Sequence, residues 1–182
     1  KRSSVLIATK VGMDFEPGPH GQGGSRKHIM DGCEGSLRRL QTEYVDLYQF
    51  HRPDPNTPLE ETLRAFDDLV TQGKVRYIGN SNFAGWQIAE ADWIARSGHM
   101  TPFVSAQPEY SMLERSIEAE VLPAARRYGL GILPYFPLAH GFLTGKYQRD
   151  TDVPEGTRLA LTPAAQDKRL TERNFDTLES LG

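Results

Sequence analysis

Apolar positions along the chain follow two alternating patterns. Short β-prone runs occupy residues 5–8, 44–50, 74–79, 103–107 and 131–135. The first, Val5-Leu6-Ile7-Ala8, is a continuous apolar run of the kind buried on both faces of a parallel sheet. Between the runs, apolar residues recur every three or four positions, the helical period. Residues 26–40 place Ile29, Cys33, Leu37 and Leu40 on one stripe behind Ser25, a good N-cap. Residues 58–72 do the same with Leu59, Leu63, Phe66 and Val70, starting at Pro58 and stopped by Gly73. Residues 86–97 turn Ile88, Ala91 and Ala95 inward. Residues 113–128 turn Ile117, Val121 and Ala124 inward, with a kink or fresh start at Pro123. Residues 148–162 are polar and irregular, and 169–181 predict a last helix.

Five strand–helix alternations imply parallel strands joined by crossover helices. Two α/β architectures fit, the doubly wound open sheet and the (β/α)8 TIM barrel. No strand–helix turn carries the Rossmann glycine fingerprint, which favours the barrel.

The composition narrows the function. Hydrophobic residues make up 38% of the 182, charged residues 25%, and the formal net charge is −3. That balance has no basic excess to suggest nucleic acid as a partner. No apolar run approaches the ~20 residues of a membrane span, and the amino end carries no apolar signal-peptide core. The single cysteine, Cys33, excludes an intrachain disulfide and fits a reducing, cytoplasmic location.

The chemistry gathers where the strands end. Lys10, His51, Asn80-Ser81-Asn82, Gln107 and Tyr135 each follow or close a strand. In a barrel the carboxyl ends of all strands converge on one face, where the active site is built. The stretch Tyr44-Val45-Asp46-Leu47-Tyr48-Gln49-Phe50-His51 is the clearest case, because Pro53 and Pro55 break the strand just after the imidazole. Taken singly, Lys10 also reads as a surface lysine, Ser81 or Asn82 as a helix cap, Gln107 as a loop-satisfying amide and Tyr135 as filler at the barrel mouth. Alternation predicts Leu6, Ala8 and Lys10 on the inner face with Leu47, Gln49 and His51, leaving Thr9 and Phe50 toward the helices. Asp46 then points away from the chemistry.

Other motifs fall away. Gly141-Phe142-Leu143-Thr144-Gly145-Lys146-Tyr147 is one residue short of a phosphate loop and has Tyr where the metal-binding Ser or Thr belongs. His20, His28, His99 and His140 lack the spacing and companions of a metal site, so none is expected. The glycines from Gly18 to Gly24 read as a mobile loop.

At these residues the chain resembles an aldo-keto reductase. The matching motifs are Ala8-Thr9-Lys10, Gly35-Ser36-Leu37-Arg38-Arg39-Leu40, Tyr44-Val45-Asp46-Leu47-Tyr48 and His51-Arg52-Pro53-Asp54. They continue with Glu61-Thr62-Leu63, Gly73-Lys74-Val75-Arg76-Tyr77-Ile78-Gly79, Ser81-Asn82-Phe83, Gln107-Pro108-Glu109-Tyr110-Ser111, and Pro137-Leu138 through Lys146-Tyr147. The resemblance implies a (β/α)8 barrel that reduces aldehydes and ketones with NADP(H). By position, Lys10 and His51 match two of four catalytic residues. Ser81, Asn82 and Gln107 match the grip on the nicotinamide carboxamide, and Tyr135 the ring stacked on the nicotinamide. Leu138, Gly141, Leu143 and Lys146 match the loop along the cofactor phosphates.

The same resemblance implies what is missing. The family's catalytic tyrosine and aspartate sit before the strand at Val5, and its last strand and adenosine-phosphate segment follow the position of Gly182. The expectation is therefore a single incomplete domain over 1–182, supplying strands three to seven, inactive alone and able to self-associate through open sheet edges. Asn80 stands where the family has an apolar residue, and Phe136 where it commonly has serine. Two rival functions remain. One is an aldolase or lyase using Lys10 as a Schiff base. The other is a non-enzymatic, cofactor-binding regulatory subunit, since some family members attach to membrane channels.

Overall fold

The computed structural model describes residues 1–15, 18 and 21–181. The chain forms two compact units, residues 1–108 with 118–133 and residues 109–117 with 134–181. His20 and part of the 12–24 loop lie outside the described residues.

The first unit is built on a five-stranded sheet in sequential order, every neighbouring pair parallel. The strands are β1 (Ala8–Val11), β2 (Val45–Phe50), β3 (Val75–Ser81), β4 (Ser105–Gln107) and β5 (Gly131–Ile132). The helices between them are α1 (Arg26–Leu40), α2 (Leu59–Thr71), α3 (Gly85–Ser97) and α4 (Val121–Tyr128). This is the α/β architecture of a partial (β/α)8 barrel. Among the described residues, β1 and β5 each pair on one side only.

Local chemistry sets the boundaries. The Ser25 side chain accepts from the His28 amide at 3.3 Å and opens α1. Gly73, at φ 74°, carries the chain out of α2 in a left-handed conformation. The first apolar run does not form the strand expected at 5–8. Ladder pairing begins only at Ala8, opposite Leu47, with Ile7 set against Asp46. There Asp46 takes the Ile7 amide at 2.8 Å and the Arg2 guanidinium at 2.6 Å, leaving Leu6 88% exposed. The helix expected at 113–128 is likewise shorter, because residues 109–117 belong to the other unit.

The core lies between sheet and helices. Tyr48 donates to the Ile29 carbonyl of α1 at 3.2 Å. Phe66 of α2 meets Tyr48, Phe50 and Phe103 at ring-centroid distances of 5.3, 6.2 and 6.2 Å. Phe83 closes the cluster against Phe50 and Phe103. Even-numbered β2 residues thus face the helices, as alternation predicts.

Asn80 breaks the apolar pattern of that layer. It pairs in register with Phe50 and Ala106, is buried, and among the described residues neither its amide nitrogen nor its oxygen has a hydrogen-bond partner. An unsatisfied buried amide costs about 1–3 kcal/mol. Asn80→Leu, of similar volume, is therefore expected to stabilise the protein by roughly that amount. Chemical denaturation checks this, and an unchanged or lowered midpoint would mean that the amide is satisfied in solution.

The second unit packs around Ala139, Phe142, Tyr147, Leu159 and Phe175, with Leu113 and Leu143 against them. The Tyr147 hydroxyl donates to the His140 carbonyl and accepts from the Leu159 amide. Two short helices complete it, α5 (Gln166–Arg169) and α6 (Glu172–Glu179). Among the described residues, no helix is long and apolar enough to cross a membrane.

Candidate active site

In the first unit, the side chains opposite the helices form layers. Lys10 pairs with Gln49, Gln49 with Gly79, Gly79 with Ser105, and Ser105 with Gly131. Two residues farther along the strands come His51, Ser81 and Gln107, with Ser81 directly opposite Gln107. Lys10 thus sits one layer below His51, at the carboxyl end of the sheet. Only glycine fits at 79 in the lower layer, since a Cβ there would lie 2.3 Å from Ser105 Oγ. Gln49, not singled out from the sequence as a site residue, is buried in that layer. Its position two residues before His51 was the available signal.

The upper layer is knitted together by hydrogen bonds. The His51 amide donates to the Val11 carbonyl at 2.8 Å. The His51 carbonyl accepts from Asn82 Nδ2 at 2.9 Å, and the same nitrogen lies 3.1 Å from Ser81 Oγ. Ser81 Oγ donates onward to the Gln107 carbonyl at 2.7 Å. Asn82 holds a left-handed backbone, φ 60°, a conformation Asn tolerates better than most residues. One network therefore joins His51, Ser81, Asn82 and Gln107 across three strand ends.

Burial first, then the positive charges of Lys10 and Arg52, lower the His51 pKa below its ordinary 6.5. The imidazole is neutral at pH 7 and offers one donor and one acceptor. Because the unfolded chain binds the proton more readily, this group's contribution to stability is full above pH 6.5. It is lost as pH falls toward the folded pKa. Removing the Lys10 charge in Lys10→Met is expected to raise the His51 pKa part of the way back, burial remaining. Imidazole NMR titration of both proteins measures it, and an unchanged His51 pKa would separate the two side chains electrostatically.

The second unit carries the other residues singled out. Tyr135 is half-buried and packs edge-on to Phe136 at 5.2 Å. Burial raises its phenol pKa, with Lys168 lowering and Glu114 raising it in smaller measure. Its backbone bridges to Glu109. The following loop is unusual. Phe136, Ala139, His140 and Gly141 have φ of 52°, 49°, 60° and 86°. Three of the four are not glycine, and each left-handed residue of this kind costs on the order of 1 kcal/mol. Phe136 packs against His140 at 3.7 Å between centroids with the rings tilted by 34°, a contact that offsets part of that strain. A Cβ at Gly141 would lie 2.8 Å from Lys146 Cε and 2.9 Å from its Nζ. The glycine thus lets the ammonium lie against the backbone. Leu138 is exposed, and its carbonyl accepts from the Gly141 and Leu143 amides.

Among the described residues, no group of three or more His, Cys, Asp or Glu could hold a metal ion. Cys33, buried under α1, has its thiol pushed up to about 11, chiefly by burial, and is unreactive near neutrality.

Comparison with known proteins agrees with this layout. The aldo/keto reductase family model matches residues 1–182. The chain is 42% identical over its whole length to a rice protein named "Probable voltage-gated potassium channel subunit beta", covering 55% of it. It is 45% identical, over 88% of its length, to the oxidoreductase YrpG of Bacillus subtilis, covering 49% of that protein. With L-glyceraldehyde 3-phosphate reductase of Escherichia coli K12 it shares 36% identity over 99% of its length and 53% of the relative's. The chain spans about half the length of these curated relatives. With its family model matched from end to end and its strand-end residues gathered in adjoining layers, the chain belongs to the aldo/keto reductase family.

Proposed function

We propose that this chain is the central portion of an NADP(H)-dependent oxidoreductase that transfers a hydride between the nicotinamide and the carbonyl or alcohol group of an aldehyde or ketone. It supplies strands three to seven of the barrel in one incomplete domain. The observation that carries the reading is the strand register, which sets Lys10 one layer below His51, Ser81 and Gln107 at the carboxyl end of the sheet.

The residues fit the cofactor. Ser81, Asn82 and Gln107 bring hydroxyl and amide groups together at the strand ends, the donor and acceptor set a carboxamide requires. Gly141, lacking a Cβ, lets the Lys146 ammonium lie against the loop backbone, a cation placed beside main-chain amides as a phosphate would require. NADPH, when bound, supplies the hydride. Ser81, Asn82 and Gln107 would hold the carboxamide, Tyr135 would offer a ring face to the nicotinamide, and Leu138, Gly141, Leu143 and Lys146 would line the phosphates. His51 donates a hydrogen bond to the substrate oxygen, where negative charge develops as the hydride arrives. Lys10 supplies positive charge that favours ionisation of the proton donor, a tyrosine of the full-length protein. Its cytoplasmic setting and any pairing of copies through the open β1 and β5 edges belong to the same proposal.

NADPH fluorescence titration of the full-length protein and its Gln107→Ala variant tests the grip. The wild type is expected to bind, and the variant more weakly. Equal affinity would remove Gln107 from the site. A second reading is favoured by the relatives from rice, Arabidopsis thaliana and Schizosaccharomyces pombe that carry channel β-subunit names. A cofactor-binding regulatory subunit would bind NADPH and turn over no carbonyl. A Schiff-base lyase through Lys10 would instead be trapped by borohydride in the presence of its carbonyl substrate.

A further inference from the structure

Arg169 closes α5, and its side chain is among the largest fully buried ones of the described residues. A buried cation is costly to desolvate, so its partners are informative. Nη2 donates to Glu109 Oε1, and Nε lies 3.4 Å from Nδ1 of His140. Each partner leads to a different part of the cofactor-binding residues. Glu109 forms a parallel bridge with Tyr135, and the Tyr110 amide after it donates to the Tyr135 carbonyl at 3.4 Å. His140 stands in the left-handed run next to Gly141, its ring packed at a tilt against Phe136. Asn174 holds the Arg169 carbonyl at 2.9 Å, which anchors the end of α5.

We propose that Arg169 is a positioning residue for cofactor binding: one buried guanidinium clamps the strained 136–141 loop through His140 and the Tyr135 segment through Glu109. The proposal rests on the cofactor reading above. It explains how three non-glycine residues stay at positive φ, a conformation that persists only where the surroundings over-determine it. It also explains why a cation is buried at the end of a short polar helix.

The clamp is pH-dependent. Nδ1 accepts from Arg169 only in the neutral imidazole, since in the cation both ring nitrogens are donors. The charges facing His140 are Arg158, Lys168 and Arg169, with Glu109 on the far side of the guanidinium. Burial, then Arg158 and Lys168, hold its pKa below 6.5, so the bond is intact at neutral pH and lost as acid protonates the ring. Glu109 keeps Lys168 as a second partner, at 3.2 Å.

The test uses the full-length protein, with His140→Phe and Arg169→Lys as variants. His140→Phe keeps a ring against Phe136 and removes the acceptor. Arg169→Lys keeps a cation for Glu109 and removes the second planar donor. Two readouts are taken, amide hydrogen exchange of Gly141 and Leu143 without cofactor, and NADPH affinity by fluorescence. A hydrogen bond to a charged group predicts about tenfold faster exchange and about tenfold weaker NADPH binding in both variants at neutral pH. The wild type should approach the variants as pH falls through the His140 titration, while His140→Phe should show no such step. Exchange and affinity within about twofold of wild type in both variants would overturn the clamp. So would a wild-type acid step that persists in His140→Phe. If the wild type binds no NADPH, the cofactor reading fails, while the exchange data still judge the clamp.

Discussion

His51→Ala in the full-length protein is expected to lower kcat by about 10²–10³-fold and to leave NADPH affinity within about twofold. The imidazole is neutral near pH 7, pushed below its ordinary pKa by burial and by Lys10 and Arg52. A neutral ring hydrogen-bonds weakly to a ground-state carbonyl and more strongly to the oxyanion that forms as hydride arrives. Its loss therefore falls on the transition state rather than on binding. The backbone of His51, not its side chain, carries the bonds to Val11 and Asn82. Truncation at Cβ thus leaves the strand-end network in place. Steady-state carbonyl reduction beside cofactor titration measures both quantities. A variant that loses NADPH binding and keeps its turnover would reverse the assignment.

Phe66→Ala is expected to destabilise the protein by about 3–5 kcal/mol, a large part of what a typical domain possesses. Phe66 has no exposed surface and touches rings on β2 and before β4 at 5.3–6.2 Å. Its removal opens a cavity that Tyr48 and Phe50, held in β2, cannot close without shifting the strand. Phe50 directly precedes His51, so the same ring backs the strand that delivers the imidazole. Urea denaturation followed by far-UV circular dichroism reads the loss. A shift below about 1 kcal/mol would mean that the aromatic layer repacks freely.

The strand-end layers of the candidate site and this core were legible in the sequence to different depths. The helix at 26–40 was readable because Ser25 and the Ile29–Cys33–Leu37 spacing agree, and it forms with those bounds. The five parallel strands followed from the alternation alone, and Lys10 and His51 from where strands break. Boundaries that depend on distant partners were not readable. Asp46 captures the Ile7 amide and β1 starts at Ala8, so Lys10 lies within the strand rather than after it. The strand expected at 131–135 ends at Ile132, and Tyr135 bridges instead to Glu109. Arg169 illustrates the deeper limit. An arginine at the start of a helix expected over 169–181 reads as a solvated charge, whereas in the fold it closes α5 and meets Glu109 and His140. His140 carried no sequence signal beyond lacking metal-site companions.

The most direct measurement uses NADPH deuterated at nicotinamide C4 in the position transferred, with the full-length protein and an aldehyde substrate. Deuterium recovered on the carbinol carbon of the product, at a rate reduced in His51→Ala, is the predicted result. NADPH that binds with no deuterium transferred across a range of aldehydes and ketones would contradict it and leave a cofactor-binding regulatory protein in its place.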